Sequence, residues 1–488
     1  MLFNSLEYLL FLPAAAFLYY AAPQKLKRYI LLAASLFFYG SLHVNYLFLL
    51  LFTIAATYAA GLGLERANAS PIRKLIVFAA FAANLGLLAY FKYMGLLIDG
   101  VNAVIGAFGG GGGFNALQIL LPAGISFYTL QSLGYVMDVY RKKIPAERNL
   151  PLYALFVSFF PQLLAGPIGR AADLLAQMKT PARLTYDNLR GGFLLMLWGY
   201  FKKLVIADRL AVFVNHVHAD AGAYRGVVHI LTAVVFLIQL YADFSGYSHI
   251  AIGSAKLFGI TLMKNFDTPF NAVSSGEFWR RWHISLSSWF RDYLYFPLGG
   301  GKKGRFRKAV NQIIVFLVSG LWHGAGLNYI VWGFLNGLYL VCGELLAPAR
   351  GFVRQKLGID PQSSGHKTFQ TALTFALAVV AFVFFRAAGL AEAVQIIQSM
   401  IYPNLWVLTD GTLLTLGLSL AEMLVALSAV LCMLLAERGN RHIAYLQSLR
   451  CQHILYRWAV YLGAVLVVLI FGVYGTNAAP ANFLYFQF

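Results

Sequence analysis

The chain has 488 residues, of which 60% are hydrophobic and 12% charged, with a net charge of +19 and a mean hydropathy of +0.67. Soluble domains carry about 25% charged residues, and a soluble fold of this size cannot hide so much apolar surface, so lipid is the solvent for much of the molecule. The basic excess does not read as a nucleic-acid footprint, because the cations fall in short clusters between apolar runs, as in loops that face an anionic leaflet.

In chain order, the first apolar run has no basic stretch before it and no A-x-A site, so it reads as a retained first helix and not as a cleaved signal. Membrane-spanning helices need about 20 mostly apolar residues. Candidate spans are 6–22, 29–40, 44–63, 75–95, 150–166, 191–213, 228–253, 309–323, 327–347, 368–388, 414–436 and 456–475. Several are short or interrupted by glycine, as re-entrant or broken helices are where they line a buried cavity. The expectation is an all-α polytopic integral membrane protein with about 11–13 transmembrane or re-entrant helices, in a single membrane domain over 1–488.

Basic loops set orientation. Lys25, Lys27 and Arg28 follow the first span, and Arg66, Arg73 and Lys74 the third. Arg141, Lys142, Lys143 and Arg148 form a further cluster, as do Lys302, Lys303, Arg305, Arg307 and Lys308. These are expected to be cytoplasmic, with the N-terminus and the uncharged Gly-rich stretch 109–113 outside. The five glycines are not a phosphate loop, since no Lys-Ser/Thr follows. There is no internal repeat or low-complexity tail, and the longest polar insertion is 350–367. Cys342, Cys432 and Cys451 have neither disulfide nor metal spacing and read as apolar thiols.

Four stretches carry residues that lipid tolerates poorly. FWRRWHISLSSWFRDYLYFPLGG, 278–300, sets Arg280, Arg281, His283, Arg291 and Asp292 among tryptophans. Read as one helix, it places Trp279, His283 and Ser287 on one face and nearly aligns Arg280 with Arg291. It is either an interfacial amphipathic helix with snorkelling arginines or the wall of a positive pocket carrying a titratable histidine. SGLWHGAGLNYIVWG, 319–333, carries His323 between apolar stretches and among glycines. An ionisable group at that depth is a functional candidate, while the plain alternative is a core histidine bonded to a carbonyl. YADFSGYSHIAIG, 241–253, holds Asp243 and His249. Asp243 reads best as a structural carboxylate bonded to a neighbouring Tyr or Ser or paired with an arginine, which Arg280 or Arg281 could supply. Lastly, LPAGISFYTLQSLGYVMDVYR and FFPQLLAGPI, at 121–141 and 159–168, are ordinary helix ends or broken helices around a cavity, with Ser126, Tyr128 and Gln131 pointing inward.

Taken together and in this order, the four stretches resemble the membrane-bound O-acyltransferase family. The resemblance is narrower still to its bacterial branch, the membrane subunits of alginate and peptidoglycan O-acetylation and the D-alanyl transferase of teichoic acid modification. The start, MLFNSLEYLLFLP, and the end, NFLYFQF, also resemble the O-acetylation subgroup. The resemblance implies transmembrane helices around a central funnel, a catalytic histidine at His323 and a second motif histidine at His283. It further implies acetyl-CoA as the donor substrate with no permanently bound cofactor. A periplasmic partner of the SGNH-hydrolase fold would receive the acetyl group for a polysaccharide acceptor. Two positions depart from the family pattern: His249 stands where an acid is expected, and Gly301 where an asparagine is.

The chemistry fits. Acyl transfer from an activated thioester needs a base for the incoming hydroxyl and donors for the tetrahedral oxyanion. His323 is the expected base, and His283 orients the acceptor or donates to the oxyanion. Trp279, Arg280, Arg281, Ser287, Arg291, Trp322 and Asp243 are the candidate substrate- and donor-binding residues. Arg280, Arg281 and the 302–308 cluster could attract CoA phosphates, no metal is expected, and no GxSxG elbow supports a serine acyl-enzyme. A transporter or flippase with histidine proton relays, and a scaffold without chemistry, remain as alternatives.

Overall fold

The computed structural model describes residues 1–108, 121–180, 182–402, 404–438, 448–474 and 483, and among these the regular elements are helices, with no strand. The first nine are α1 (Leu6–Ala21), α2 (Lys27–Gly40), α3 (Val44–Arg66), α4 (Ser70–Ala107), α5 (Ile125–Tyr140), α6 (Leu150–Ser158), α7 (Phe160–Leu163), α8 (Ala171–Lys179) and α9 (Tyr186–Tyr200). A π-helical segment, Phe201–Ala207, runs into α10 (Asp208–Ala219), and α11 (Val227–Leu257) follows. After α12 (Ser275–Arg281) and α13 (Ile284–Phe290) comes a second π segment, Arg291–Tyr295. The remainder is α14 (Gly304–His323), α15 (Leu327–Leu345), α16 (Ala347–Lys356), α17 (Ser364–Arg386), α18 (Leu390–Ser399), α19 (Leu420–Glu437) and α20 (Ile454–Phe471).

The all-helical, multi-pass expectation holds. Six helices, α3, α4, α11, α17, α19 and α20, are long and apolar enough to cross a membrane, and α15 with α16 makes a seventh candidate bent by 51°. The other expected spans are shorter or differ in extent. The run at 75–95 lies within one helix of 38 residues, and 150–166 breaks into α6 and α7. The run 191–213 contains the first π segment, and the helix expected from 309 starts at Gly304, inside the basic cluster. The Gly-rich stretch 109–113 lies outside the described residues, as does most of NFLYFQF.

Contacts group the chain into two compact units, residues 1–196 with 248–264, and 197–247 with 265–488. In the first, rings of Phe3, Tyr8, Phe11, Phe38 and Phe160 pack together, with centroids 4.6 Å apart for Phe3 and Tyr8 and 5.1 Å for Phe11 and Phe160. The break between α6 and α7 frees backbone groups that lipid cannot satisfy. Side chains take them up. The Phe156 carbonyl accepts from Gln131 Nε2 at 2.6 Å and Gln162 Nε2 at 2.9 Å, and Phe160 N–H donates to Ser35 Oγ at 3.2 Å. Gln131 therefore repairs a helix break, and its amide is not turned into a cavity. Tyr128 is buried and Ser126 half-buried on the same helix.

In the second unit, α14 and α15 form a hairpin at close range. A Cβ on Gly320 would strike the Tyr329 carbonyl oxygen, and one on Gly333 the Phe316 carbonyl oxygen. Small residues let two helix backbones approach like this where no hydrophobic effect drives helices together. The same unit buries a charged network around the first π segment, whose extra residue per turn accompanies two adjacent inward lysines. Lys203 Nζ lies 2.8 Å from Asp208 and 2.7 Å from Asp243. Lys202 pairs with Glu437 and lies 3.2 Å from Ser245 Oγ, and Tyr241 Oη donates to Glu437 Oε2 at 2.6 Å. Tyr241, Asp243 and Ser245 all belong to α11, so the network fixes that helix's rotation and height.

Two outcomes follow from this packing. Gly333→Ala forces α15 off α14, an overpacking defect of about 1–3 kcal/mol, whereas Gly343→Ala on the same helix meets open space; detergent-solubilised thermal unfolding should fall for the first and not for the second. Lys203→Met leaves two buried carboxylates without their shared cation and costs about 3–5 kcal/mol. Adding Asp243→Asn should recover part of that loss in the same melt, and no recovery would mean that the carboxylates do not depend on Lys203.

Candidate functional site

The segment FWRRWHISLSSWF does not form one helix. It folds as α12 and α13, which part at Trp282 and His283, where His283 takes a left-handed backbone with φ 43° and ψ 53°. Trp279, His283 and Ser287 thus do not share a continuous helical face, and Arg280 and Arg291 are not aligned along one axis. The cause is Asn265. Its backbone carbonyl accepts from Ile284 N–H at 2.8 Å. Its side-chain Oδ1 accepts from Ser285 N–H at 3.2 Å, Ser285 Oγ at 2.8 Å and His283 Nδ1 at 3.0 Å. A non-glycine residue in the left-handed region costs about 1–3 kcal/mol, and these bonds hold it there.

The same contacts fix the tautomer. A backbone N–H can only donate, so the Asn265 atom facing Ser285 is the oxygen, and a carbonyl oxygen can only accept. His283 Nδ1 therefore carries a proton, and Nε2 is the basic nitrogen of the neutral ring. The turn lies outside the six long apolar helices, and burial holds the His283 imidazole well below the ordinary histidine value. Its ring meets Phe244 edge-on at 4.7 Å between centroids and Trp322 at 6.3 Å. Phe244 sits on α11 between Asp243 and Ser245, so the buried network places it against His283.

His323 is the last residue of α14. It is 6% exposed, against 1% for His283. Rings of Trp322, Trp332 and Phe385 stand 4.8, 4.9 and 5.2 Å from it. Asn328 anchors the end of α17 beside Phe385 by donating to the Phe384 and Ala387 carbonyls, both at 3.1 Å. The Trp322 indole thus touches both imidazoles and joins the two motifs. Trp279 packs on Trp332, with ring centroids 5.7 Å apart.

The remaining expected residues divide. Asp243 is bound by Lys203 and not by Arg280 or Arg281. Arg281 donates to Glu277 at 2.8 and 3.0 Å, to the Asp267 carbonyl and to Thr268 Oγ1, which makes it a brace for α12. Ser287 Oγ donates to the Trp282 carbonyl at 3.3 Å across the break. Arg280 and Arg291 are exposed, Arg291 beside Asp292. His249 belongs to the other unit, half-buried in the last turns of α11. Sequence reading missed Asn265, Lys202, Lys203, Asp208 and Glu437. The paired lysines inside the apolar run 191–213 were a signal, because charge at lipid depth marks a functional or paired group. Asn265, in a loop, offered none.

The sequence profile of the membrane-bound O-acyltransferase family matches residues 145–352, which contain both histidines. A probable alginate O-acetylase from Pseudomonas putida is 38% identical over 87% of this chain and 86% of its own length. The peptidoglycan O-acetyltransferase of Helicobacter pylori is 35% identical over 77% of this chain and 73% of its own. The teichoic acid D-alanyltransferase of Streptococcus thermophilus is 29% identical over 56% and 70% respectively. Similarity of that extent, over the helices that carry the two buried histidines, separates an enzyme from the transporter and the scaffold that the sequence left open: the chain belongs to the membrane-bound O-acyltransferase family and is a multi-pass membrane O-acyltransferase.

Proposed function

We propose that this O-acyltransferase takes acetyl from acetyl-CoA at the cytoplasmic side of a bacterial inner membrane and passes it across for O-acetylation of a polysaccharide, alginate or peptidoglycan. A periplasmic partner of the SGNH-hydrolase fold would receive the group. One observation carries the reading: two buried histidines meet one indole, in a chain similar over most of its length to acetylases of those polymers.

In this reading His323 is the general base. It takes the proton of the attacking hydroxyl as oxygen bonds to the thioester carbonyl carbon. The tetrahedral oxyanion then collapses, the carbon–sulfur bond breaks, and the proton held by His323 goes to the departing thiolate. A base of this kind contributes about 10²–10⁴-fold. His283, protonated at Nδ1, can accept at Nε2 but cannot donate there while neutral. That supports orientation of the acceptor hydroxyl over donation to the oxyanion. Arg280, Arg291, Lys302 and Lys303 are exposed cations that suit the CoA phosphates, while the intramolecular bonds of Arg281 make it a support. Acetyl-CoA is a substrate here, and no resident cofactor is invoked.

The first test compares His323→Ala, His283→Gln and Asn265→Leu in cells and in a reconstituted assay of acetyl transfer. His323→Ala should abolish polymer acetylation, with membrane expression and melting near wild type. His283→Gln and Asn265→Leu should both leave slow, measurable transfer, because positioning defects cost orders of magnitude without reaching zero. Polymer acetylation that persists in the His323 variant overturns the assignment. A second test concerns topology. A cysteine at Lys303 should react with an impermeant thiol reagent only in inverted vesicles or broken cells, and labelling of intact spheroplasts would reverse the orientation.

A further inference from the structure

The helix α16 is unlike its neighbours: none of its residues is buried. Phe352, Val353 and Leu357 are 66%, 50% and 66% exposed. At about 100° per residue, Phe352, Val353 and Ala349, with Leu357 at the C-cap, share one side of the helix; the exposed Lys356 at its last turn falls on that side too, and Arg350 and Arg354 border it. The start of α14 repeats the pattern, since Phe306, 84% exposed, stands between Arg305 and Arg307. Both segments lie at the same end of the α14–α15 hairpin, where Lys308 pairs with Glu344 at 2.7 Å and Gln312 donates to Glu344 at 3.1 Å. That pairing neutralises the one acid between 343 and 359. Among the described residues, none of the four arginines pairs with a carboxylate; Arg350 donates to the Gly343 carbonyl and Arg354 to the Arg350 carbonyl.

We propose that the start of α14 and the whole of α16 form a ledge for anionic phospholipid headgroups, with Phe306 and Phe352 at the acyl boundary and Arg305, Arg307, Arg350 and Arg354 on the phosphates. An amphipathic helix with a cationic border lies in the interface plane, its apolar face sunk into the headgroup region. The 51° bend after α15 then marks where the chain leaves the span and turns along the surface. A soluble phosphate would explain the arginines but not the exposed phenylalanines between them. A second copy of the chain would set cations against cations, a repulsive pairing. Lipid satisfies both features, and each cation near an anionic surface strengthens the attachment.

The test uses the full chain with its three native cysteines replaced by serine and a polarity-sensitive fluorophore on Phe352→Cys. It is reconstituted in vesicles of phosphatidylcholine, with or without phosphatidylglycerol. The label should emit at shorter wavelength, resist aqueous iodide and be quenched by nitroxides carried near the lipid headgroup. A label on Arg354→Cys should stay open to iodide. In a second measurement, the variant R305Q/R307Q/R350Q/R354Q should retain phosphatidylglycerol on purification about tenfold less than the parent, with an unchanged melt. Four results overturn the ledge. One is equal iodide access at 352 and 354. Another is undiminished lipid retention in the quadruple variant. The third is displacement of the lipid by adenosine 3′,5′-bisphosphate. The fourth is protection of the 352 label that grows with protein-to-lipid ratio, which would make the face a contact between copies.

Discussion

One side-chain carbonyl gives the candidate site its shape. Asn265 Oδ1 accepts from Ser285 twice and from His283 once, all in a buried setting. In water these bonds would exchange with solvent at little net gain, about 0.5–1.5 kcal/mol each. In a lipid-facing protein the unmade bond is the expensive state. So the chain breaks a helix at its most aromatic stretch and holds a histidine in a left-handed turn, and that turn fixes which imidazole nitrogen bears the proton. Replacing the oxygen by an apolar group would free the turn, the ring and the tautomer together.

The same rule runs through the rest of each unit. In the first, Gln131, Gln162 and Ser35 take up the backbone groups freed between α6 and α7. In the second, Lys202 and Lys203 are balanced by Glu437, Asp208 and Asp243. Buried ion pairs are weak evidence for stability, because desolvation offsets their attraction. Their value here is geometric. Removing α11 from its register would strand charges in a low dielectric, so the helix has one permitted position, and Phe244 is held edge-on to His283.

Much of the fold was legible because lipid solvent demands long apolar runs, and those runs are visible without any contact information. The two histidines were legible for the same reason: polar groups stand out against such a background. What stayed hidden depends on residues distant in sequence. Helical spacing put Trp279, His283 and Ser287 on one face because the pattern carries no trace of Asn265, 18 residues upstream of His283, competing for the backbone. For Asp243 the sequence offers a neighbouring Tyr or Ser, or one of the two arginines of the next motif. Arg281 instead had a carboxylate one turn away in Glu277, and the actual cation, Lys203, sat inside a run that read as plain span. The shape of the α14–α15 hairpin was half visible, in that glycines recur there, but which carbonyls they admit is a property of the packed pair.

The tautomer of His283 bears on how the proposed reaction divides its labour. An oxyanion needs hydrogen-bond donors placed where charge develops. A neutral ring protonated at Nδ1 offers no donor at Nε2, and burial opposes a second proton on His283. In the proposed reaction the two histidines are therefore not interchangeable, and only one of them would gain charge. His323 is suited to that part. Its ring is framed by Trp322, Trp332 and Phe385, and aromatic quadrupoles stabilise a nearby cation by about 0.5–2 kcal/mol, most where water is excluded. In the proposed reaction, where such a frame presents ring faces to the imidazole, it would favour a brief imidazolium at His323.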